Sequence, residues 1–342
     1  MKAIQNYTAV QCGGILLNAN ENSNTLPDEI RQEILEAIAS VDFNRYPDSD
    51  ETELLEAYGN LISVSPKQLL AGNGSDQMLG YLIGTFLGKG KKLCTLNPDF
   101  SMYDYYASGY EAEVIKFKTA EDGSFAPGDF IAFAKENGAD MILFSNPNNP
   151  TGFALKVQQI AEIAEGLKDI PVVIDEAYMD FASESSALSL INTYPNLYVT
   201  RTLSKAYGMA GIRLGFLVSS EANMKPLKQA FVPYALNSVS MKIACVILKH
   251  ADTFAKQISG IIAERARMYD ILIQNNRLHI YPSQANFLYG YSADKQRMLE
   301  LLKENDIVIR DYKGTDFFRI TVGRKEENEL VLNVLKQFGE EL

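Results

Sequence analysis

The sequence is poor in the residues that build the commonest metal and disulfide sites. It holds two histidines, His250 and His279, and three cysteines, Cys12, Cys94 and Cys245, with no CxxC pair. Neither histidine stands at ligand spacing from thiols or carboxylates, which argues against a zinc site or any other metal, and against a histidine-based triad. An odd set of isolated thiols does not form a disulfide framework and fits a reduced, cytoplasmic compartment. Positive charge is also scarce: 32 Lys+Arg against 43 Asp+Glu give a formal net charge of −11. Nucleic acid and anionic membrane surfaces repel a chain of that sign at long range, so neither is an expected partner. No apolar run is long enough to span a bilayer, and the opening MKAIQNYTAV lacks the apolar core of a secretory signal. Two nucleotide-binding signatures are missing as well. No GxGxxG follows an early strand, and GNGSDQ (72–77) lacks the GK[ST] of a P-loop.

What is present is a rhythm of short apolar runs and longer helical patterns. The runs KKLCTL (91–96), AEVIKF (112–117), MILFS (141–145), PVVID (171–175), LYVTR (197–201) and RLGFLVS (213–219) read as buried strands, with helical stretches at 75–87 and 158–168. Strand–helix–strand order implies an α/β fold with a largely parallel sheet covered on both faces. The last two runs are too close for a helical crossover, so one strand is expected to lie antiparallel to its neighbour. A long helical pattern follows from about Val239 to Asn275, then NFLYGY (286–291), IVIRDY (307–312), FFRITVG (317–323) and a terminal helix. This reads as a smaller α+β unit. The expected division is a large domain over 44–232, and a small domain built from 1–43 with 233–342, where 27–40 forms a helix.

Ligands of open parallel sheets sit beyond the carboxyl ends of the strands, and four polar clusters lie there. In AGNGSDQML (71–79), Gly72 and Gly74 allow a tight turn before a helix. Ser75 or Asp76 either caps that helix or belongs to an anion cradle of free N–H groups. SNPNNPTG (145–152) is a stiff loop whose asparagines offer amide donors to a ring. In VVIDEAYMDF (173–182), Asp175 ends an apolar run. A buried carboxylate there needs a cation, either from the protein or from a protonated heterocycle. In RTLSKAYGMAGIRLGF (201–216), Ser204 and Arg213 suit a phosphate. Lys205 sits at a strand end, where desolvation and nearby cations lower its pKa from about 10.4 and free it as a nucleophile. A lysine, a buried aspartate, an amide-rich loop and two anion-binding turns are what pyridoxal 5′-phosphate requires. The lysine makes the imine, and the aspartate keeps the pyridine nitrogen protonated.

With these motifs quoted, the chain resembles the fold-type I pyridoxal-phosphate enzymes and, within them, the histidinol-phosphate aminotransferases. The likeness runs from LLNANEN (16–22) through NRYPD (44–48), GNGSDQ, NPDFSMY (97–103), NPNNPTG, DEAYMDF and SKAYGMAGIRLGF to FRITVG (318–323). The resemblance implies that Lys205 forms the internal aldimine and then acts as general base. It implies that Asp175 pairs with the pyridine nitrogen, that Asn149 and Tyr178 bond the ring oxygen O3′, and that Phe100 stacks on the ring. The phosphate would be held by Ser75, the Asp76 N–H, Thr202, Ser204 and Arg213. Tyr46 would reach across a homodimer interface to the partner's site. Arg319 and Arg310 would bind the anionic ends of an amino donor and a 2-oxo acid, with Asn20 as a further substrate contact. Pairing with Asp311 is the structural alternative for Arg310. In the arm before LNANEN, Tyr7 is the aromatic available to close over the substrate. NPDF stands where the family more usually has proline, threonine and an aromatic residue.

The expected reaction moves an amino group from histidinol phosphate to 2-oxoglutarate in a ping-pong cycle. Threonine-phosphate decarboxylation (cobalamin pathway) and aromatic amino-acid transamination share nearly all these motifs. A ligand-sensing regulator without turnover and a hydride-transferring dehydrogenase fit the sequence less well.

Overall fold

The computed structural model describes residues 13–341, so Tyr7 and Cys12 lie outside the described residues. Short runs rich in Val, Ile, Leu and Phe form most of twelve strands among them, as such side chains favour a pleated, buried surface. These are β1 (Ile15–Leu17), β2 (Leu69–Asn73), β3 (Lys92–Asn97), β4 (Glu113–Lys118), β5 (Met141–Ser145), β6 (Val172–Asp175), β7 (Leu197–Thr202), β8 (Leu214–Val218), β9 (His279–Tyr281), β10 (Phe287–Tyr291), β11 (Ile307–Asp311) and β12 (Phe317–Thr321).

Seven strands form one sheet in the order β2-β8-β7-β6-β5-β3-β4. The pairs β3/β4, β3/β5, β5/β6 and β6/β7 are parallel, and β8 runs antiparallel to both β7 and β2. The sequence expectation of one reversed strand is therefore met, because the turn between β7 and β8 is too short for a crossover. Every residue of β5, β6, β7 and β8 is buried, which is why these strands read as continuous apolar runs rather than alternating ones. Helices Gly74–Phe86, Met102–Gly109, Pro127–Glu136 and Val157–Gly166 connect the strands and cover the sheet.

The reversal of β8 has a consequence for function. Six strands of this sheet end at one edge, and β8 begins at that same edge. Residues after β3, β5, β6 and β7 therefore meet the residue before β8, which is Arg213.

The second sheet has the order β1-β11-β12-β10-β9, with β1 parallel to β11 and the other pairs antiparallel. In the β11/β12 ladder Arg310 lies directly opposite Arg319. Three strands were not read from the sequence. β1 and β9 have three residues each, and β2 (LLAGN) carries small residues that hide its pattern. The long helical pattern from Val239 divides into Ser238–Lys249 and Ala251–Leu272, where His250 leaves helical geometry at φ −99°, ψ 26°. No helix among the described residues is long and apolar enough to cross a membrane.

Candidate active site

A cavity of about 690 Å³ opens at the shared edge of the large sheet and extends to the β11/β12 face of the second sheet. Every site candidate within the described residues lines it except Tyr46. Tyr46 stands outside, 81% exposed, its ring stacked on Tyr234 at 4.8 Å.

Lys205 follows β7 through a short loop and is partly buried. Its Nζ donates to the Ala19 carbonyl at 2.9 Å. Burial, reinforced by the Arg319 charge, pulls the amine down to about 8. At neutral pH roughly a tenth of such an amine is uncharged, against about a thousandth or less for an ordinary lysine.

Beside it lies the start of the Gly74–Phe86 helix. That terminus has no side-chain cap, so its N–H groups are left for another acceptor, and the capped-helix reading of Ser75 and Asp76 does not hold. Two glycines make the close approach possible. Gly74 takes a φ of +79°, and a Cβ there would stand 2.7 Å from Arg213 Nη2. A Cβ on Gly215 would stand 2.2 Å from the Ser75 nitrogen. Arg213 adopts the left-handed region at φ 52° and pairs with Asp76 at 2.7 Å, and Tyr106 donates to the other Asp76 oxygen at 2.7 Å. Thr202 Oγ1 lies 2.9 Å from Ser204 Oγ. Free N–H groups, hydroxyls and a guanidinium at a helix N-terminus form the donor set of a phosphate site.

Asp175 ends β6 and is 3% exposed. Tyr103 donates to Oδ2 at 2.9 Å and Thr200 to Oδ1 at 3.0 Å. Burial still raises the carboxyl to about 6, these hydrogen bonds opposing it. Among the described residues no cation pairs with it, so the internal salt bridge considered from the sequence is not formed. It is the next residue, Glu176, that pairs with Arg201. A deep carboxylate held by neutral hydroxyls at a cavity wall suits a cationic ligand group. Tyr103 and Thr200 were not assigned from the sequence. Tyr103 stood within the quoted NPDFSMY, but only the fold turns it toward Asp175.

Tyr178 Oη accepts from Asn20 Nδ2 at 2.9 Å and from Asn149 Nδ2 at 3.4 Å. With both lone pairs engaged, its proton is left to donate, and burial pushes the phenol up to about 12, which keeps that proton in place. Asn20 is also bound to Thr321, so its side chain ties the second sheet to Tyr178. Phe100 forms part of the wall, edge-on to Tyr103 at 5.6 Å.

The far wall is cationic. Arg319, 6% exposed, donates to Asn149 Oδ1 and, at 2.9 Å, to the Asn18 carbonyl, while its buried Nε has no partner. Arg310 lies over the Tyr312 ring at 5.9 Å. The alternative partner for Arg310, Asp311, instead pairs with Lys295 at 2.8 Å. Neither arginine has a carboxylate partner among the described residues. Like charges facing each other across a ladder are unfavourable unless an anion lies between them. Tyr312, a cavity residue not singled out in the sequence, adds an aromatic surface beside them. Among the described residues no three His, Cys, Asp or Glu side chains gather as a metal site.

Known proteins resemble this chain in sequence and in fold. The family profile for aminotransferase class I and II matches residues 13–335. A histidinol-phosphate aminotransferase of Clostridium novyi (strain NT) is 38% identical over 325 residues, 94% of this chain and 91% of its own length. The crystal structure of the Sinorhizobium meliloti histidinol-phosphate aminotransferase in complex with pyridoxal-5′-phosphate is similar with a TM-score of 0.85 at 21% identity, covering 95% of this chain and 91% of that one. The L-threonine-O-3-phosphate decarboxylase of Porphyromonas gingivalis is similar with a TM-score of 0.82 at 24% identity, covering 96% and 100%. At such identities the two solved structures attest the fold. The profile and the closer sequence relative establish more: this chain belongs to the class I and II aminotransferases.

Proposed function

We propose that the chain is an aminotransferase that holds pyridoxal 5′-phosphate in this cavity and transfers the amino group of histidinol phosphate to 2-oxoglutarate. The products would be imidazole-acetol phosphate and glutamate, in histidine biosynthesis. One observation carries the cofactor assignment: Asp175 is buried, held by neutral donors with no cation among the described residues, and faces a cavity that also contains a depressed amine and an uncapped helix N-terminus. The donor set fits the cofactor part by part. The Ser75 hydroxyl, the Asp76 N–H, Thr202, Ser204 and Arg213 would hold its phosphate. Asn149 and the free Tyr178 proton would hold its ring oxygen, Phe100 would cover its ring, and Lys205 would hold it covalently. When bound, the cofactor supplies an aldehyde for amines and a ring that accepts an electron pair.

The chain's own groups do the rest. Asp175 would keep a proton on the ring nitrogen, because a cation beside it would offset the part of its burial cost that its hydrogen bonds leave. Lys205 Nζ would take the proton from the substrate Cα and return it to the carbon on the far side of the amino nitrogen, a transfer its pKa of about 8 suits at neutral pH. Arg319 and Arg310 orient the substrates by their anionic ends, and Asn20 and Tyr312 complete the wall. A site that alternately takes a phosphorylated amine and a dicarboxylate needs two cations without protein partners. The curated relative at 38% identity supports histidinol phosphate as the donor.

We further assign residues 44–232 to the cofactor-binding domain and 1–43 with 233–342 to the smaller one. The working form is a cytoplasmic homodimer in which the exposed Tyr46 reaches the partner's cofactor phosphate. Phe43, 75% exposed, lies in the same segment.

A panel of phosphorylated amines assayed with 2-oxoglutarate tests this reading. Glutamate formation with histidinol phosphate is expected. Release of carbon dioxide from threonine phosphate with no 2-oxoglutarate requirement would overturn it.

A further inference from the structure

Asp99 lines the cavity but has no part in the reading above. It follows β3 in the NPDF segment, directly before Phe100. Its carboxylate collects donors from two strands. Oδ1 accepts from the Phe100 N–H at 2.8 Å and makes a close hydrogen bond with Ser145 Oγ, and Oδ2 accepts from the Ser145 N–H at 3.3 Å. Ser145 Oγ in turn accepts from the Asn149 N–H at 2.9 Å. Ser145 lies opposite Asp175 in the β5/β6 ladder, so this chain of bonds runs beside the aspartate.

Sheet topology explains why such a link is needed. The β3/β5 ladder pairs only Leu93 with Met141 and Cys94 with Ile142. Both strands run on for three residues, paired to β4 and β6 but not to each other, before they reach the cavity. Phe100 and Asn149 therefore stand on two loops that backbone ladder bonds do not hold together. Besides Asp99, one hydrogen bond joins the loops there, from Asn148 Nδ2 to the Pro98 carbonyl at 3.2 Å. A hydroxyl side chain has one oxygen and cannot receive the Phe100 and Ser145 donors on separate atoms, whereas a carboxyl can. Among the described residues no cation pairs with Asp99, so its placement is not that of an ion-pair partner. Burial raises its carboxyl to about 8, opposed first by the Ser145 hydroxyl.

We infer that Asp99 is a positioning residue of the ring-binding wall: by joining Phe100 to the Ser145–Asn149 loop it sets the spacing between the aromatic face and the amide that would grip the cofactor ring. The inference rests on the cofactor reading above, and the test separates the two.

Wild-type protein and the variants Asp99→Ala, Asp99→Asn and Ser145→Ala are titrated with pyridoxal 5′-phosphate. The dissociation constant and the visible circular dichroism per bound cofactor are measured, beside the thermal midpoint of the cofactor-free protein. For Asp99→Ala a dissociation constant raised roughly tenfold and a dichroic band at about half its wild-type strength are expected, since the ring is then less tightly oriented. Ser145→Ala is expected to reproduce the loss of dichroism, because the link runs through its hydroxyl. Asp99→Asn keeps the shape but loses one acceptor, so an intermediate effect is expected. It also serves as the decisive variant if Asp99→Ala does not fold. A change in midpoint alone, with wild-type affinity and dichroism, overturns the inference and leaves Asp99 a stabilising residue. Wild-type protein that takes up no cofactor overturns both readings together.

Discussion

Arg201 and Arg319 are buried to the same depth, 7% and 6% exposed, in opposite surroundings. Arg201, on β7, donates to Glu176 at 2.9 Å and to Asp180 at 3.0 Å, and Glu176 is itself held by Ser186 at 2.6 Å and the Ala187 N–H at 2.7 Å. Arg319, on β12, lies over the Phe287 ring at 5.1 Å and donates only to carbonyl oxygens among the described residues, and one N–H has no acceptor. Burying a guanidinium costs several kcal/mol unless carboxylates offset it. Around Arg201 they do, and the cluster is closed. Around Arg319 they do not, and the open charge lies at a cavity wall. Depth alone does not distinguish scaffold from site. The balance of charge at that depth does.

Four experiments would break or sharpen this contrast. The largest effect is expected at Lys205, which shares the open cavity with Arg319. Lys205→Ala should slow glutamate formation by at least about 10³-fold, with no loss of thermal midpoint, because the one hydrogen bond it removes, to the Ala19 carbonyl, is offset by relief of a desolvated amine. Substantial activity in that variant would remove the lysine from the chemistry.

Next comes Arg201→Ala, which leaves Glu176 and Asp180 facing each other without a cation. Denaturant unfolding should show a loss of about 3–5 kcal/mol. Normal stability with impaired turnover would mean that the closed cluster had been misread as scaffold.

Arg319→Gln should do the reverse. A drop of about 10²-fold in kcat/KM is expected, with the unfolding free energy within about 1 kcal/mol of wild type, since no buried carboxylate is stranded. Equal losses in both quantities would erase the contrast.

The smallest effect concerns pH. Lys205 reacts as the uncharged amine, and its folded pKa is lowered from 10.5 to about 8 by burial first and Arg319 second. Cofactor uptake should therefore rise about tenfold per pH unit up to roughly pH 8 and level off above it. In Arg319→Gln the midpoint should move upward, because one of the charges that disfavours the ammonium is gone. Stopped-flow absorbance across pH 6–10 would record both curves, and an unmoved midpoint would show that burial alone sets it.

The two walls of the cavity also differ in how far they could be read in advance. On the large-sheet wall each functional group sits within a contiguous motif at a strand end. GNGSDQ, NPNNPTG, DEAY and SKAYGMAGIRLGF could therefore be recognised segment by segment, and the structure brings them to one edge. Their partners could not be read in this way. Tyr103 reaches Asp175 from another loop, and Asp99 reaches Ser145 across strands whose pairing has ended. Strand β2 escaped notice because Ala71, Gly72 and Asn73 have little strand character, although Gly72 lies opposite Gly215 and a Cβ there would stand 2.3 Å from Met78 of the following helix. On the second wall almost nothing was local. Whether Arg310 was free depended on where Asp311 went, and Lys295 took it.

By itself the sequence determined the order of nine of the twelve strands, the one reversed strand, and the chemical character of the turns, because backbone preference and apolar periodicity act over neighbouring residues. Tertiary structure alone decided which charges were neutralised and which were left facing the cavity. Asn20 and Thr321 stand 301 residues apart yet bond directly, and charge compensation at such separations follows from packing, which no short stretch of chain can specify.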